Sequence, residues 1–273
     1  MENYLLKIVK WFPRKIKRKL VEKIKYEIYN SLDNLRSELN NSFIRYTLIN
    51  KLLLKQISET ISGVEFIGQE LQDMYAYLYF NGKRDGYFID IGAYDGIAIS
   101  NTYALEKIGW KGICVEPVPE IYDHLVKNRK CECINAAIYN EDGKTLDFIQ
   151  TRGGRSGFIT DMNDLMIEAA KQEGIVGKYS VKTKTFESLM ENNKVEYIDF
   201  LSIDVEGAEF AVLESIDFNK YKFNLITIEN NHGIMKLRDY MFSKGYKILL
   251  DIGVDVLFIP QKIEIGRYWW TDQ

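Results

Sequence analysis

From Leu20 to Ile57 the apolar positions Leu20, Ile24, Ile28, Leu32, Leu35, Leu39, Phe43, Tyr46, Leu53 and Ile57 recur mostly at three- and four-residue steps, with no Pro or Gly between Arg14 and Ser62. That period predicts an amphipathic helical extension. The stripe is narrow and slips phase near Phe43, which leaves a second copy, the body of the protein or another protein open as its partner. After Gly63 the pattern changes to short β-rich runs alternating with helical ones. Strands are predicted at 87–91, 112–116, 133–138, 197–203, 223–229, 246–251 and 254–259, and helices at 99–108, 119–129, 207–215 and 234–244. Strands apolar on both faces, alternating with helices, predict an α/β fold with a mostly parallel, doubly wound, Rossmann-like sheet. The last two strands have only Gly253 near their junction and no helix between them, so they should form a C-terminal antiparallel hairpin. The expected division is a helical extension over 1–62 and an α/β domain over 63–273.

Composition adds less than charge does. The 273 residues are 46% hydrophobic and 27% charged with four prolines, ordinary values that exclude collagenous and low-complexity chains. The net charge of −3 conceals an asymmetry. Residues 1–25 hold nine Lys/Arg against Glu2 and Glu22, a segment of +7 that leaves −10 on the rest, so the body is no general nucleic-acid binder. Leu5, Ile8, Val9 and Phe12 share one face of that basic segment. It reads either as a peripheral contact with an anionic membrane surface or as a frayed terminus. Three cysteines fit a reducing compartment, and no stretch has the roughly 18 apolar residues of a membrane span. A cytoplasmic protein is expected, peripheral at the inner membrane surface only under the first of these two readings.

The strongest local signal is Asp90-Ile91-Gly92-Ala93-Tyr94-Asp95-Gly96, placed after the first strand and before a helix. In a doubly wound sheet this turn lies where a cofactor sits. A dinucleotide site needs its second glycine where Tyr94 stands, because pyrophosphate nearly touches that backbone. A ligand without phosphates and with a positive charge suits a wider turn carrying Asp90 and Asp95. Glu116, at the end of the second strand and followed by Pro117, is spaced to accept ribose hydroxyls. Asn135 and Ala136 at the third strand offer an amide and a small side chain beside an adenine ring.

FIDIGAYDG, SNTYALE, GWKGICVEP, INAAI and FLSIDVEGAE together resemble FkbM-type S-adenosylmethionine (SAM) dependent methyltransferases over about residues 64–260. The hairpin at the end of a seven-stranded sheet also resembles the class I methyltransferase arrangement. The resemblance implies O-methylation, often of sugar or polyketide hydroxyls, with SAM as cofactor. It places Ser100 and Asn101 beside the cofactor and matches Gln72-Asp73 to a segment that closes over it. It says nothing of the first 60 residues, for which self-association into a homo-oligomer is the leading expectation.

Methyl transfer to an alcohol needs the oxygen held in line with the methyl carbon and a group to take its proton. Asp204, Glu206 and Glu209 follow the fourth strand, and Glu229, Asn230 and His232 the fifth. Asp204 is expected to face the methyl or the ammonium, with Glu206 toward substrate. Glu229 and His232 complete the catalytic candidates, while Glu209 reads as a helix-dipole acid and His124 as a surface residue. Asp204, Glu229 and Asn230 also make an oxygen set suited to Mg²⁺. Cys131 and Cys133 lack a third and fourth soft ligand for zinc. Residues 150–185 read as a flexible basic stretch followed by a helical run, with Arg152 and Arg155 placed to meet an anionic group on a small-molecule or glycan acceptor. Two rivals are an NAD-dependent oxidoreductase, against which the glycine spacing argues, and a catalytically silent scaffold acting through the helical extension.

Overall fold

The computed structural model describes residues 52, 53, 55, 56, 58–152, 156–162, 164–191 and 193–263. The chain divides into two units, Glu65–Gln261 and Met1–Val64 with Lys262–Gln273, where a break after residue 62 was expected. Of the first unit, residues 52, 53, 55, 56 and 58–62 are helical. The rest of the expected helix and the whole basic terminus lie outside the described residues. No helix among the described residues is long and apolar enough to cross a membrane.

Within Glu65–Gln261 the elements in order are α1 (Gln72–Tyr79), β1 (Tyr87–Ile91), α2 (Tyr103–Lys107), β2 (Lys111–Val115), α3 (Pro119–Asn128), β3 (Glu132–Ile134), β4 (Ala137–Ile138), β5 (Thr145–Thr151), β6 (Gly157–Phe158), α4 (Asp164–Glu173), β7 (Ile175–Lys184), α5 (Phe186–Met190), β8 (Tyr197–Ile203), α6 (Glu209–Glu214), β9 (Lys222–Glu229), α7 (Ile234–Ser243), β10 (Tyr246–Asp251) and β11 (Asp255–Pro260). Seven strands form one sheet in the order β10-β11-β9-β8-β1-β2-β3. Neighbours from β9 to β3 pair in parallel, whereas β11 runs antiparallel to both β9 and β10. The seven strands, the α/β class and the terminal hairpin are those expected from the sequence.

Burial explains the choice of strands. β1, β8 and β9 bury most of their residues, and Ile89, Ile91, Ile203, Leu201, Ile226 and Ile228 join one core cluster. Such strands must be covered on both faces. Cross-strand register also sets Ser202, Asp90, Cys114 and Cys133 in a row across β8, β1, β2 and β3. Polar groups inside a sheet this buried need partners, and the residues around the site supply them.

Three differences from the sequence reading have local causes. The strand expected over 133–138 breaks after Ile134, because the Asn135 side chain donates to the carbonyls of Glu116 and Pro117 at 2.8 and 3.1 Å. Ala137–Ile138 then leave the main sheet and pair with β7. The insertion expected over 150–185 has its helical run, α4, but the rest is strand: β5, β6 and β7 join β4 in a second sheet, β4-β7-β5-β6, whose Phe148, Phe158 and Val181 pack with Val118 and Ile121 of the α3 region. The helices expected at 99 and 207 start later, at Tyr103 and Glu209, because Ile99, Glu206 and Gly207 have φ of 50°, 53° and 113°. Positive φ cannot continue a right-handed helix.

Candidate active site

A cavity of about 970 Å³ opens at the carboxyl ends of β1, β2, β8 and β9. Its floor begins with the turn after β1. The N–H groups of Gly92 and Ala93 both donate to the Val115 carbonyl at 3.0 Å, and Gly96 N–H closes back on Ala93. Gly92 has φ of 91°, and a Cβ there would stand 1.7 Å from the Asp204 carbonyl oxygen. Only glycine therefore lets the turns after β1 and β8 close on one another. Asp204 N–H in turn donates to Ile91 O at 3.0 Å.

Glu116 is 5% exposed, and its carboxylate oxygens accept the N–H groups of Tyr94 and Val118 at 3.1 and 2.9 Å. Burial pushes its pKa up to about 7 against the pull of those two bonds. The carboxylate is thus fixed in direction, with lone pairs left for hydroxyl donors. Asp90 is buried beneath the turn and accepts from Thr102 Oγ1 at 2.6 Å. Burial raises its pKa; the Thr102 hydrogen bond and the nearby Arg129 guanidinium hold it down. Asn101 Nδ2 donates to Ser202 Oγ at 3.0 Å, and its buried Oδ1 has no partner among the described residues.

One residue ties this loop together. Arg129, 5% exposed, pairs through Nε with Glu106 Oε2 at 2.8 Å. Its remaining nitrogens donate to Gly96 O and Ser100 Oγ, each at 3.3 Å, and to Thr102 Oγ1 at 3.0 Å. A Cβ on Gly96 would lie 2.6 Å from the Arg129 stem. The guanidinium thus fixes the far side of the glycine turn to α2.

Acids dominate the opposite end of the cavity. Asp204, Glu206 and Glu229 bring carboxylate oxygens within 4.8 Å of one another. Burial, then Glu229 and Asp255, drive the Asp204 pKa well up. Burial, then Glu206 and Glu209, lift Glu229 to about 8, while hydrogen bonds from Asn231 and Asp204 oppose the rise. Burial also raises Asp255, the register partner of Glu229, to about 6. This end favours positive charge and also retains a proton. Glu206 holds φ of 53° while β6 presses against it: a Cβ on Gly157 would sit 2.7 Å from the Glu206 carbonyl. The second sheet thereby walls the acidic end, with Phe148 and Phe158 on the cavity surface.

A family model described as the methyltransferase FkbM domain matches residues 90–248. The chain belongs to that family. Among solved structures it is similar to an FkbM methyltransferase from Methylobacillus flagellatus KT, at 14% identity and a TM-score of 0.41 over 90% of this chain and 60% of that one. It is similar also to TrmK of M. capricolum in complex with S-adenosylhomocysteine (SAH), at 12% identity and a TM-score of 0.37 over 71% of this chain and 68% of that one. A third is a fibrillarin pre-rRNA processing protein of Methanococcus jannaschii, at 13% identity and 0.37 over 77% and 74%. The chain thus spans less than two thirds of the Methylobacillus protein. A search of curated proteins finds no match.

In this FkbM domain Asp90, Gly92, Ala93, Tyr94, Ser100, Asn101, Glu116, Pro117, Ala136, Arg152, Asp204, Glu206, Glu229 and Asn230 all line the cavity. Other expected residues stand behind it. Asp95 Oδ1 accepts the N–H groups of Ile97 and Ala98, and Asn135 braces Glu116. Gln72 donates to Asp255 Oδ2 at 2.7 Å, while Asp73 accepts from Ile67 and Gly68, so both shape the segment that brings Gln69 to the cavity. His232 is not a lining residue: its Nε2 lies 2.7 Å from Gly207 O and 3.0 Å from the buried Glu209 carboxylate, whose hydrogen bond raises its pKa. Glu209 also accepts from Gly207 N–H and Asn231, which is more than a dipole role requires. His124 is exposed, and Arg155 lies outside the described residues. The sequence reading missed Arg129, Asp255, Gln69 and the wall from β5.

Proposed function

We propose that this domain transfers the methyl group of SAM to a hydroxyl oxygen of a carbohydrate acceptor. One observation carries the reading: a single cavity joins a fixed ribose-type acceptor, Glu116, to a carboxylate cluster of Asp204, Glu206 and Glu229. The residues present fit the cofactor. The volume is near the top of the roughly 300–1,000 Å³ range of small-molecule sites and leaves room for an acceptor. Gly92 keeps the backbone cradle open, the unpartnered Asn101 Oδ1 waits for a donor, and the acids suit an ammonium and a sulfonium.

Bound SAM supplies an electrophilic methyl group. The chain supplies position and proton chemistry. Glu116 accepts ribose hydroxyls, and Asn101 accepts an N–H or O–H donor. Asp204 and Glu229 share a hydrogen bond and a retained proton, so the pair has one carboxylate to receive the acceptor's hydroxyl proton as the oxygen becomes nucleophilic. His232 holds Gly207 and Glu209 and so positions the turn that carries Glu206. Acidic walls favour a neutral, many-hydroxyl acceptor over an anionic one, with Arg152 the lone lining cation among the described residues.

The spacing of Asp204, Glu206 and Glu229 favours a second reading, in which a hard divalent cation bound by these oxygens activates the hydroxyl. Calorimetry with SAH, NAD and Mg²⁺, followed by transfer of labelled methyl to oligosaccharides, tests all three points. Binding of SAH but not NAD, with transfer to a sugar unaffected by chelator, is the expected result. Transfer only to non-hydroxyl acceptors contradicts the substrate assignment.

A further inference from the structure

The three cysteines take no part in the proposed methyl transfer, yet the fold collects them behind the cofactor loop. Cys114 is a buried residue of β2, and Cys133 is its register partner on β3. Cys131 stands two residues before Cys133, in the bend that leads into β3. Its sulfur lies 3.5 Å from Cys114 Sγ, and Cys133 Sγ is 3.6 Å from the Cys131 carbonyl oxygen. Unlike Cys114, Cys131 is only partly buried. Two residues upstream, Arg129 holds the glycine turn through Gly96, Ser100 and Thr102.

We propose that Cys131 and Cys114 form a peroxide-sensitive dithiol, and that their disulfide weakens cofactor binding by displacing Arg129. Hydrogen bonds from Cys114 and Cys133, with the guanidinium close by, hold the Cys131 thiol below its ordinary range, while burial raises Cys114. Cys131 is therefore the attacking thiolate. Its sulfur attacks one peroxide oxygen; the O–O bond breaks, hydroxide leaves and a sulfenic acid forms. Cys114 sulfur then attacks that sulfur; the S–S bond forms, the S–O bond breaks, and the oxygen departs as water. Two thiols are oxidised and one peroxide is reduced to two waters.

A disulfide is about 2.05 Å long, so the sulfurs must approach by about 1.5 Å. Cys114 is fixed within the sheet between β1 and β3. The movement falls on the 129–131 segment, which carries the guanidinium.

The effect on affinity rests on the proposed SAM site; formation of the bond does not. The full chain is titrated with hydrogen peroxide, and its cysteine peptides are mapped by mass spectrometry without reduction. SAH binding is measured by calorimetry before oxidation, after it, and after dithiothreitol. The expected result is a Cys114–Cys131 cross-link, two hydrogens lighter than the dithiol, with affinity about tenfold weaker and restored by reductant. The Cys131→Ser variant should keep its affinity in peroxide. A Cys131–Cys133 link, or sulfinic acid without a cross-link, overturns the dithiol on wild-type protein alone. A Cys114–Cys131 link with unchanged SAH affinity overturns the coupling to Arg129. Absence of SAH binding in the reduced protein refutes the cofactor site and leaves the cross-link result standing.

Discussion

Replacing Arg129 with methionine removes one ion pair and three hydrogen bonds while keeping most of the apolar stem that packs against Gly96. The Arg129 side chain is fully buried and that of Glu106 is 12% exposed. Breaking a buried pair by removing one partner costs about 3–5 kcal/mol, chiefly through the charge left behind. Glu106 retains some contact with water and still accepts Lys130 N–H, so the lower end, about 3 kcal/mol, is expected. That is a large part of a domain's usual stability of about 5–15 kcal/mol. The assay is urea unfolding of wild type, Arg129→Met and Arg129→Met/Glu106→Gln, with SAH calorimetry on each. The double variant should recover part of the loss, because the Glu106 carboxylate is then no longer left unpaired. Both variants should bind SAH at least about tenfold more weakly, since the turn is then untethered. A single-variant loss below about 1 kcal/mol with unchanged SAH affinity would refute the view that this guanidinium organises the site.

Other predictions follow from single contacts. Gly92→Ala should abolish SAH binding and lower the melting temperature, because the new methyl meets the Asp204 carbonyl at 1.7 Å; binding at wild-type affinity contradicts this. Glu116 and Glu229 titrate at about 7 and about 8 in the fold against an ordinary 4.5, so the folded chain holds more protons than the unfolded one between these values. Ligand-free stability should therefore be greatest below about pH 4.5 on these two groups' account and fall as the pH rises through about 7 and 8. His232, raised by Glu209, acts with the same sign. Thermal melts that rise from pH 5 to 8 would speak against it. Glu206→Gln should cut methyl transfer at least about a hundredfold with SAH affinity little changed, and equal loss of both would place Glu206 on the cofactor instead.

What could be read from the sequence was whatever repeats locally. The apolar runs of β1, β8 and β9 declare themselves, as does the glycine turn between β1 and α2, because burial and tight turns restrict residue choice at single positions. The second sheet was also partly legible: β7, with Tyr179, Val181 and Thr183 alternating against lysines, has a period of two. The Arg152–Gly157 stretch beside it drew attention to loops instead. Arg129 could not be found in this way. It follows α3 in the sequence, and nothing around it signals Gly96 or Thr102, which only the sheet brings near. His232 illustrates the converse, since its type suggested a base while its position gives its Nε2 to Gly207 and Glu209.

The central claim is that the Glu116 carboxylate and the Asp204–Glu229 end belong to one SAM site. Calorimetric titration of SAH into wild type, Glu116→Gln and Asp204→Asn tests it most directly. The account predicts saturable one-to-one binding to wild type and at least about tenfold weaker binding to each variant at unchanged fold. Wild-type protein that takes up no SAH, or variants that both bind it as wild type does, would contradict the account.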